Sequence, residues 1–247
     1  MKVSVITVTY NSADTLQDCI SSIAAQSYKD IEHIIIDGNS TDDTLKIIKK
    51  NTSVSTYISE PDKGLYDAMN KGLKVASGDI IGILNSDDVY AYNDVISDVV
   101  SEIAEYDALY ADLCYVGSND LSKVKRYWKS GAYRRDSFKC GWMPPHPSLF
   151  LKKEVYEKYG NFNLELTSAS DYELILRFLY KARINTTYLP KVTVKMREGG
   201  ISNQSLKHRL KANREDRIAW EINGLKMPFL LPVLKPIRKI PQYFQKP

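Results

Sequence analysis

Long apolar runs are missing from this 247-residue chain: no segment approaches the roughly 20 residues that a bilayer-spanning helix needs. Membrane contact is therefore expected only from the surface. The opening MKVSVITVTY lacks the apolar stretch and cleavage site of a secretory leader. Cysteine is scarce. Cys19, Cys114 and Cys140 are odd in number, widely separated and without a paired metal spacing, which argues against a disulfide framework and for a reducing compartment. Cys19 falls on a helical apolar stripe and Cys114 in a strand-like run, so both read as small core residues. His33, His146 and His208 make no metal-site spacing. A glycine-rich dinucleotide turn, an ATPase phosphate loop and a Gly-x-Ser-x-Gly elbow are all absent. So is a large charge of one sign, since 34 Lys and Arg oppose 30 Asp and Glu for a net of +4. With no basic groove motif, nucleic acid is not an expected partner. The small basic excess gathers at 123–139, at 207–217 and from 226 to the end.

What is present is a globular pattern. Hydrophobic residues make up 43% of the chain, enough for a substantial core. Val3, Val5, Ile6 and Val8 form a short buried-strand run that ends at Thr9-Tyr10-Asn11. Leu16, Ile20, Ile23 and Ala24 then recur at helical spacing. A strand follows over 31–36, and Ser40 with Asp43 fits a capping box for a helix carrying Leu45 and Ile48. A weaker strand at 54–58, a helix over 65–76 that Gly78 can end, and a strand at 80–84 complete a βαβαβαβ rhythm. That rhythm predicts a mostly parallel sheet with helices on both faces. Beyond it the pattern predicts a helix over 94–104, a strand over 108–116 containing Asp112, and an antiparallel partner at 123–128. An ordered binding loop over 133–147 follows, then a strand at 148–151 and a helix stopped by Gly160. The last elements are a helix over 170–181, a strand at 191–196, a Gly199-Gly200 break and a basic helix over 205–223 outside the main sheet.

The acids sit at informative places. Asp37 directly follows Ile34-Ile35-Ile36, and Asp87-Asp88 follows Ile83-Leu84-Asn85-Ser86. Ligands of open α/β sheets bind beyond the carboxyl ends of the strands, so both acidic sites point to one edge. A carboxylate there can accept hydrogen bonds from a base or ribose, and a close acidic pair can hold a hard divalent cation bridging phosphates. The plain alternative is that Asp starts turns and helices.

Five ordered motifs now carry a resemblance. The chain resembles the family 2 glycosyltransferases, inverting enzymes of the GT-A fold, over nearly all of residues 1–205. The run from Val5 to Ser12 is similar to their opening strand and turn, which brings Thr9, Tyr10 and Asn11 to the nucleotide sugar. Ile35-Ile36-Asp37-Gly38-Asn39-Ser40-Thr41-Asp42-Asp43-Thr44 looks like their second motif, whose first Asp reaches the base. Glu60-Pro61-Asp62-Lys63-Gly64-Leu65-Tyr66-Asp67-Ala68-Met69-Asn70-Lys71-Gly72 resembles a third, placing Asp67 close to the nucleotide. Asn85-Ser86-Asp87-Asp88 occupies the position of the metal-binding DxD element, and Ala169-Ser170-Asp171-Tyr172-Glu173-Leu174 that of the catalytic base. Two departures stand out: Asn85 replaces the first Asp of the DxD element, and Ser170-Asp171 replaces a frequent Glu-Asp. An Asn can still donate a carbonyl oxygen to a hard cation, and Asp171 keeps the carboxylate. An Asp in the first turn of a helix is also favoured by the helix end alone.

The resemblance implies a GT-A catalytic domain over 1–205, with a nucleotide-sugar-binding half at 1–88 and an acceptor-binding half at 89–205. A basic helix and Pro-rich amphipathic tail fill 206–247. It implies Mg2+ or Mn2+ at Asp87 and Asp88, with Asn85 and Ser86 beside the donor. The expected donor is a nucleotide-diphosphate sugar, UDP-sugar first. Asp171 would deprotonate a saccharide hydroxyl. In the 133–147 loop, Trp142 and His146 are candidate acceptor contacts, with loop packing and a structural hydrogen bond as their alternatives. Arg134, Arg135 and Lys139 either attract an acceptor phosphate or form a solvated cluster. Polyprenyl-diphosphate-linked acceptors and surface-polysaccharide synthesis at the inner face of the plasma membrane belong to the same resemblance. Pro228, Pro232, Pro236 and Pro241 prevent one long tail helix, and its apolar and basic residues suit an anionic membrane surface, the catalytic domain or a second subunit. The readings in competition are a non-catalytic carbohydrate-binding or assembly protein on the same fold and a nucleotidyltransferase. The latter would need a more glycine-rich, basic loop than Thr9-Tyr10-Asn11-Ser12.

Overall fold

The computed structural model describes residues 1–199 and 206–245, with the backbone alone for 206–210. Gly200 and Ser205, expected at a chain break and a helix start, lie outside the described residues, as does the 205/206 domain boundary. The first half runs β1 (Val3–Thr9), α1 (Leu16–Ala24), β2 (Ile31–Asp37), α2 (Thr44–Lys50), β3 (Thr56–Ser59), α3 (Leu65–Val75) and β4 (Ile80–Ile83). All seven residues of β1 are buried, as are the last five of β2. Both faces of these strands are covered, which is why they read as continuous apolar runs rather than alternating ones. Ile6, Val8, Ile34 and Ile36 point to α3, whereas Val3, Val5 and Ile35 point to the α1 and α2 side. Helix α1 presents Leu16, Cys19, Ile20 and Ile23 at the three-and-four spacing of a one-sided helix. Cys19 and Cys114 are buried free thiols, and Cys140 is an exposed one.

Strand order is β3-β2-β1-β4, parallel throughout. The chain therefore moves outward from β1 to β3 and returns to the other side of β1, so a topological switch point lies between β1 and β4. The second half adds β5 (Val89–Tyr90), α4 (Val95–Glu102), β6 (Ala108–Gly117), β7 (Asp120–Trp128), β8 (Leu149–Lys152) and α5 (Lys153–Tyr159). It continues with α6 (Ser170–Ile175), β9 (Thr186–Arg197), α7 (Leu206–Ile222) and α8 (Leu231–Ile237). The sheet continues past β4 through β8, β6, β9 and β5, with β7 paired to β6. β8 is antiparallel to β4 and β6, while β6 and β9 run parallel. Helix α6 continues through Leu176–Ala182 at the wider π pitch, so 170–182 is one bent rod. Trp220 of α7 is buried and donates Nε1 to the Tyr172 hydroxyl at 2.8 Å, which joins α7 to α6.

Two local expectations change. Ser40 and Asp43 do not form a capping box: the Ser40 hydroxyl donates to Asp37 instead, and the Thr44 amide donates to Asp42 Oδ1 at 3.0 Å. The buried Asp37 carboxylate needs donors more than the exposed helix end does. Helix α3 stops at Val75, short of Gly78, whose amide donates to Ser4 Oγ at 2.8 Å.

Gly72 is where α3 meets β1. A Cβ there would lie 2.4 Å from Ile6 Cγ2, so only glycine allows this helix its seat. Gly72→Ala is expected to destabilise the fold by about 1–3 kcal/mol, the usual penalty of an overpacked core. Urea unfolding should show a lower midpoint at unchanged slope. A midpoint equal to or above that of the parent chain would contradict this packing.

Glu32 ties β1, β2 and the turn before β4. It accepts from Ser4 Oγ at 2.6 Å, Ser77 N at 2.9 Å, Ser77 Oγ at 2.8 Å and Lys2 Nζ at 3.0 Å. Partial burial pushes its carboxyl up, but these donors prevail and bring it from 4.5 down to about 2. A depressed carboxyl stabilises the fold fully above its unfolded value and loses that contribution as pH falls through the folded one. Glu32→Gln should therefore flatten the loss of stability between pH 4.5 and 2, measured as unfolding free energy against pH. Parallel curves for the two chains would contradict it.

Candidate active site

The expected nucleotide-side residues gather where β1, β2 and β4 end. Thr9 pairs in register with Asp37, and Asp37 with Ser59. Asp37 is wholly buried and accepts from Ser59 Oγ at 2.6 Å, Ser40 Oγ at 2.5 Å and Ser40 N at 3.2 Å. These bonds fold the turn at 38–41 over the strand end. Asn11 has a φ of 48° and Asn39 one of 65°, a conformation Asn tolerates better than most residues. The Asn11 amide donates to Ser40 Oγ and its Oδ1 accepts from the Thr41 amide, both at 2.8 Å. The two loops are thereby clasped. Tyr10 is left 62% exposed, a free aromatic face at the mouth of the switch point. A Cβ on Gly38 would meet Asp62 Oδ2 at 2.5 Å and the Tyr10 ring at 3.4 Å. Asp62, to which the sequence reading gave no role, therefore closes on the same edge. Asp67 lies in the first turn of α3, accepts from the Lys63 amide at 3.0 Å and sits 3.7 Å from Lys71 Nζ.

After β4, Ser86 Oγ donates to Ser12 Oγ at 3.0 Å, which joins this loop to the one after β1. Asp88 is wholly buried and Asp87 half-buried. Burial, and then the charge of Asp87, drives the Asp88 carboxyl well above the usual range. Asp87 is also raised by burial, with Arg197 opposing. Arg197 donates Nη1 to the Asp87 carbonyl at 2.8 Å and pairs with Asp18. Its placement under the acidic pair was not legible locally, since Asp18 is 179 positions away.

Asn85 Nδ2 donates to Asp88 Oδ2 at 3.2 Å, but Asn85 Oδ1 and Asp88 Oδ1 are buried without a hydrogen-bond partner. Among the described residues no group of three or more His, Cys, Asp or Glu is arranged around a common metal position. The donors present are all hard oxygens, two of them unsatisfied. That set fits Mg2+ or Mn2+, which keep waters and take one or two carboxylates together with substrate phosphates.

Asp171 stands in the first turn of α6 and accepts from the Tyr66 hydroxyl at 3.0 Å. Burial, and then the neighbouring carboxylate, hold that phenol protonated. Tyr66 precedes Asp67 on α3, so the helix turn that carries Asp67 also reaches Asp171. The Tyr66 ring stacks on Phe162 at 5.6 Å, and Phe162 meets the edge of His146 at 5.5 Å. Asn70, one turn further along α3, exchanges two hydrogen bonds with the Phe162 backbone, at 2.9 and 3.0 Å. His146 is buried; burial lowers its pKa, while the Asp171 charge works the other way.

Trp142 is placed differently from an acceptor wall. It is 5% exposed, its ring stacks on Tyr133 at 5.1 Å, and Tyr110 and Phe138 pack against it edge-on. Its Nε1 donates to the Ser130 carbonyl at 2.7 Å. Trp142 holds the loop together from inside. Arg135 lies over Tyr180 at 4.7 Å and Lys139 pairs with Asp136 at 2.8 Å, so these two cations are engaged locally.

Known proteins resemble this chain in sequence and fold. The profile of the family described as Glycosyl transferase family 2 matches residues 4–160. A PGL/p-HBAD biosynthesis glycosyltransferase of Mycobacterium bovis is 31% identical over 205 residues, covering 81% of this chain and 78% of its own. The crystal structure of S. aureus TarS 1-349 in complex with UDP-GlcNAc is similar with a TM-score of 0.66 at 18% identity, over 98% of this chain and 78% of that one. Mannosyltransferase PcManGT from Pyrobaculum calidifontis, in complex with GDP-Man and Mn2+, also gives 0.66, at 20% identity over 94% of this chain and 68% of its own. At these identities the two structural likenesses concern the fold, which is the expected GT-A arrangement.

Proposed function

The chain belongs to glycosyl transferase family 2, and on that premise we propose that it moves a sugar from a nucleotide-diphosphate sugar onto a saccharide hydroxyl with inversion. A UDP-sugar is the first choice of donor. The observation that carries the reading is the hydrogen bond from Tyr66 to Asp171, which sets an acceptor-side carboxylate one residue from the α3 turn holding Asp67. Asp37 and Asp67 orient the base and ribose, and Tyr10 offers a ring for stacking. The Asp37 carboxylate already accepts from Ser40 and Ser59, so the base either shares it with them or replaces one.

Asp87 and the carbonyl oxygen of Asn85 would hold Mg2+ or Mn2+, with Asp88 behind them. Such a cation, when bound, offsets charge on a leaving diphosphate. Asp171 accepts the proton of the attacking hydroxyl as the new glycosidic bond forms. Tyr66 fixes the carboxylate's direction, and buried His146 packs edge-on against Phe162, which stacks on Tyr66, on the proposed acceptor side. Correct approach of the two substrates supplies a further share of the rate by removing the entropy of an unassisted encounter.

The acceptor class is a saccharide, lipid-linked forms included, in surface-polysaccharide assembly. The PGL/p-HBAD biosynthesis relative supports a biosynthetic role. Among the described residues no helix is long and apolar enough to cross a membrane. The exposed apolar side chains of the tail instead support contact with the inner membrane surface. The test is a panel of UDP-, GDP- and dTDP-sugars assayed for nucleotide release, with and without Mn2+ or Mg2+, using lipid-linked acceptors. One donor should be turned over in a metal- and acceptor-dependent way. No turnover across the panel would favour a non-catalytic carbohydrate-binding protein.

A further inference from the structure

The tail does more than lie exposed: it completes a cavity. Between the end of β7, the loop at 141–143 and the segment from α8 onward lies a space of about 270 Å³. That is near the lower end for small-molecule pockets, roughly 300–1,000 Å³, and suits a phosphate group with its nearest substituents rather than a whole nucleotide sugar. Trp128 and Trp142 line its walls, with Lys129, Lys235, Arg238 and Lys239 around them. Among the described residues no carboxylate lines it. Lys235 is satisfied from behind by Asp216 at 2.6 Å and lies over the Tyr172 ring at 3.8 Å. Lys129 and Arg238 are exposed and form no ion pair among the described residues. Their charge is available to an anion.

The cavity wall is held in place. Buried Arg126 of β7 donates Nε to Gln242 Oε1 at 2.8 Å and Nη2 to the same oxygen at 2.5 Å. Its guanidinium lies between the rings of Tyr115 at 4.4 Å and Tyr243 at 5.3 Å. Leu231 is buried in the main core. With one side thus docked, the other side of the tail faces outward. Among the described residues, seven of the fifteen exposed large hydrophobics fall between 229 and 244, Phe229 at 93% and Phe244 at 83% being the most open. Exposed apolar side chains beside a cation-lined hollow match the two parts of an anionic lipid, its chain region and its phosphate.

We propose that this cavity takes the phosphate of a membrane lipid, with Lys129 and Arg238 as its ligands and the outward residues of 229–244 seated in the bilayer surface around it. The proposal rests on the membrane-surface reading of the tail and adds to it a defined phosphate site whose lining shares no residue with the proposed transfer machinery. Each basic residue near an anionic surface contributes enough that losing two costs about tenfold or more in affinity.

Vesicle co-sedimentation of the full chain at low salt tests it. The vesicles are phosphatidylcholine alone, phosphatidylcholine with phosphatidylglycerol, and phosphatidylcholine with a long-chain isoprenoid phosphate. The chain should bind one or both anionic mixtures and not the first. Binding to phosphatidylglycerol identifies the bulk headgroup, binding only with the isoprenoid phosphate identifies an acceptor anchor, and either supports the site. Lys129→Gln with Arg238→Gln should weaken binding at least tenfold. Lys49→Gln with Lys50→Gln removes the same charge from exposed positions on α2 and should leave binding nearly intact. Phe229→Ser with Phe244→Ser should weaken it without touching the cations. Equal losses in the two charge pairs, or no binding to any anionic vesicle, would overturn the proposal. Turnover is not read in this assay, so a chain that binds vesicles through Lys129 and Arg238 yet transfers no sugar overturns the transfer reading alone. Sugar transfer without vesicle binding does the reverse.

Discussion

Asp171→Asn is expected to lower kcat by about 10²–10⁴-fold, the range for removal of a general base, with donor affinity unchanged. The amide keeps the shape and can still interact with the Tyr66 hydroxyl, so α6 and its contact with α3 remain. It cannot take a proton from the acceptor. Asp171 accepts from Tyr66, 105 positions earlier in the chain, whereas Asp37 and Asp67 take their donors from Ser59 and Lys63, so in the proposed role its loss leaves the nucleotide side intact. Single-turnover rates and donor titration on the same variant separate the two effects. Normal transfer would remove Asp171 from the role of base, and weakened donor binding would make it a nucleotide contact instead.

Asp87→Ala should cost about 10²–10³-fold in transfer, the size seen when a stabiliser of developing negative charge is removed. Chelation of the parent chain with EDTA should produce a similar loss, reversed by adding Mn2+ or Mg2+. Burial raises both Asp87 and Asp88, Asp88 further because of its neighbour. Two raised acids beside unpartnered Asn85 Oδ1 would gain from a divalent ion what they lose on leaving water. Ion affinity is measured directly by calorimetry on the folded variant. Full activity in EDTA, or unaltered Mn2+ affinity without Asp87, would show that charge on the diphosphate is met by other groups.

Much of the first half was legible because its signals are local. Ile34-Ile35-Ile36 followed by Asp37 announces a buried strand with an acid at its end, and one register places it beside Thr9 and Ser59. The switch point between β1 and β4 follows only from the strand order in the folded sheet. The acceptor side was harder. Aromatic density at 133–147 reads equally as a ligand wall or as self-packing, and Tyr133, Phe138 and Trp142 pack on one another. Periodicity cannot tell which face of a ring meets a neighbour. Long-range pairings were likewise hidden: Arg197 with Asp18, Tyr66 with Asp171 and Arg126 with Gln242 join distant segments whose partners have no local mark. Tyr66 stood inside a recognised motif, yet only the fold turns it toward Asp171. The tail showed the same limit, since apolar residues between prolines fit a core, a partner or a membrane, and the structure gives one side of it to the domain and leaves the other exposed.

The most direct test of the central claim is the stereochemistry of the product. In the proposed mechanism Asp171 drives one displacement at the anomeric carbon, so an α-linked nucleotide sugar should yield a β-linked glycoside, read from the anomeric proton coupling by NMR during initial turnover. An α-linked product would contradict a single displacement driven by Asp171.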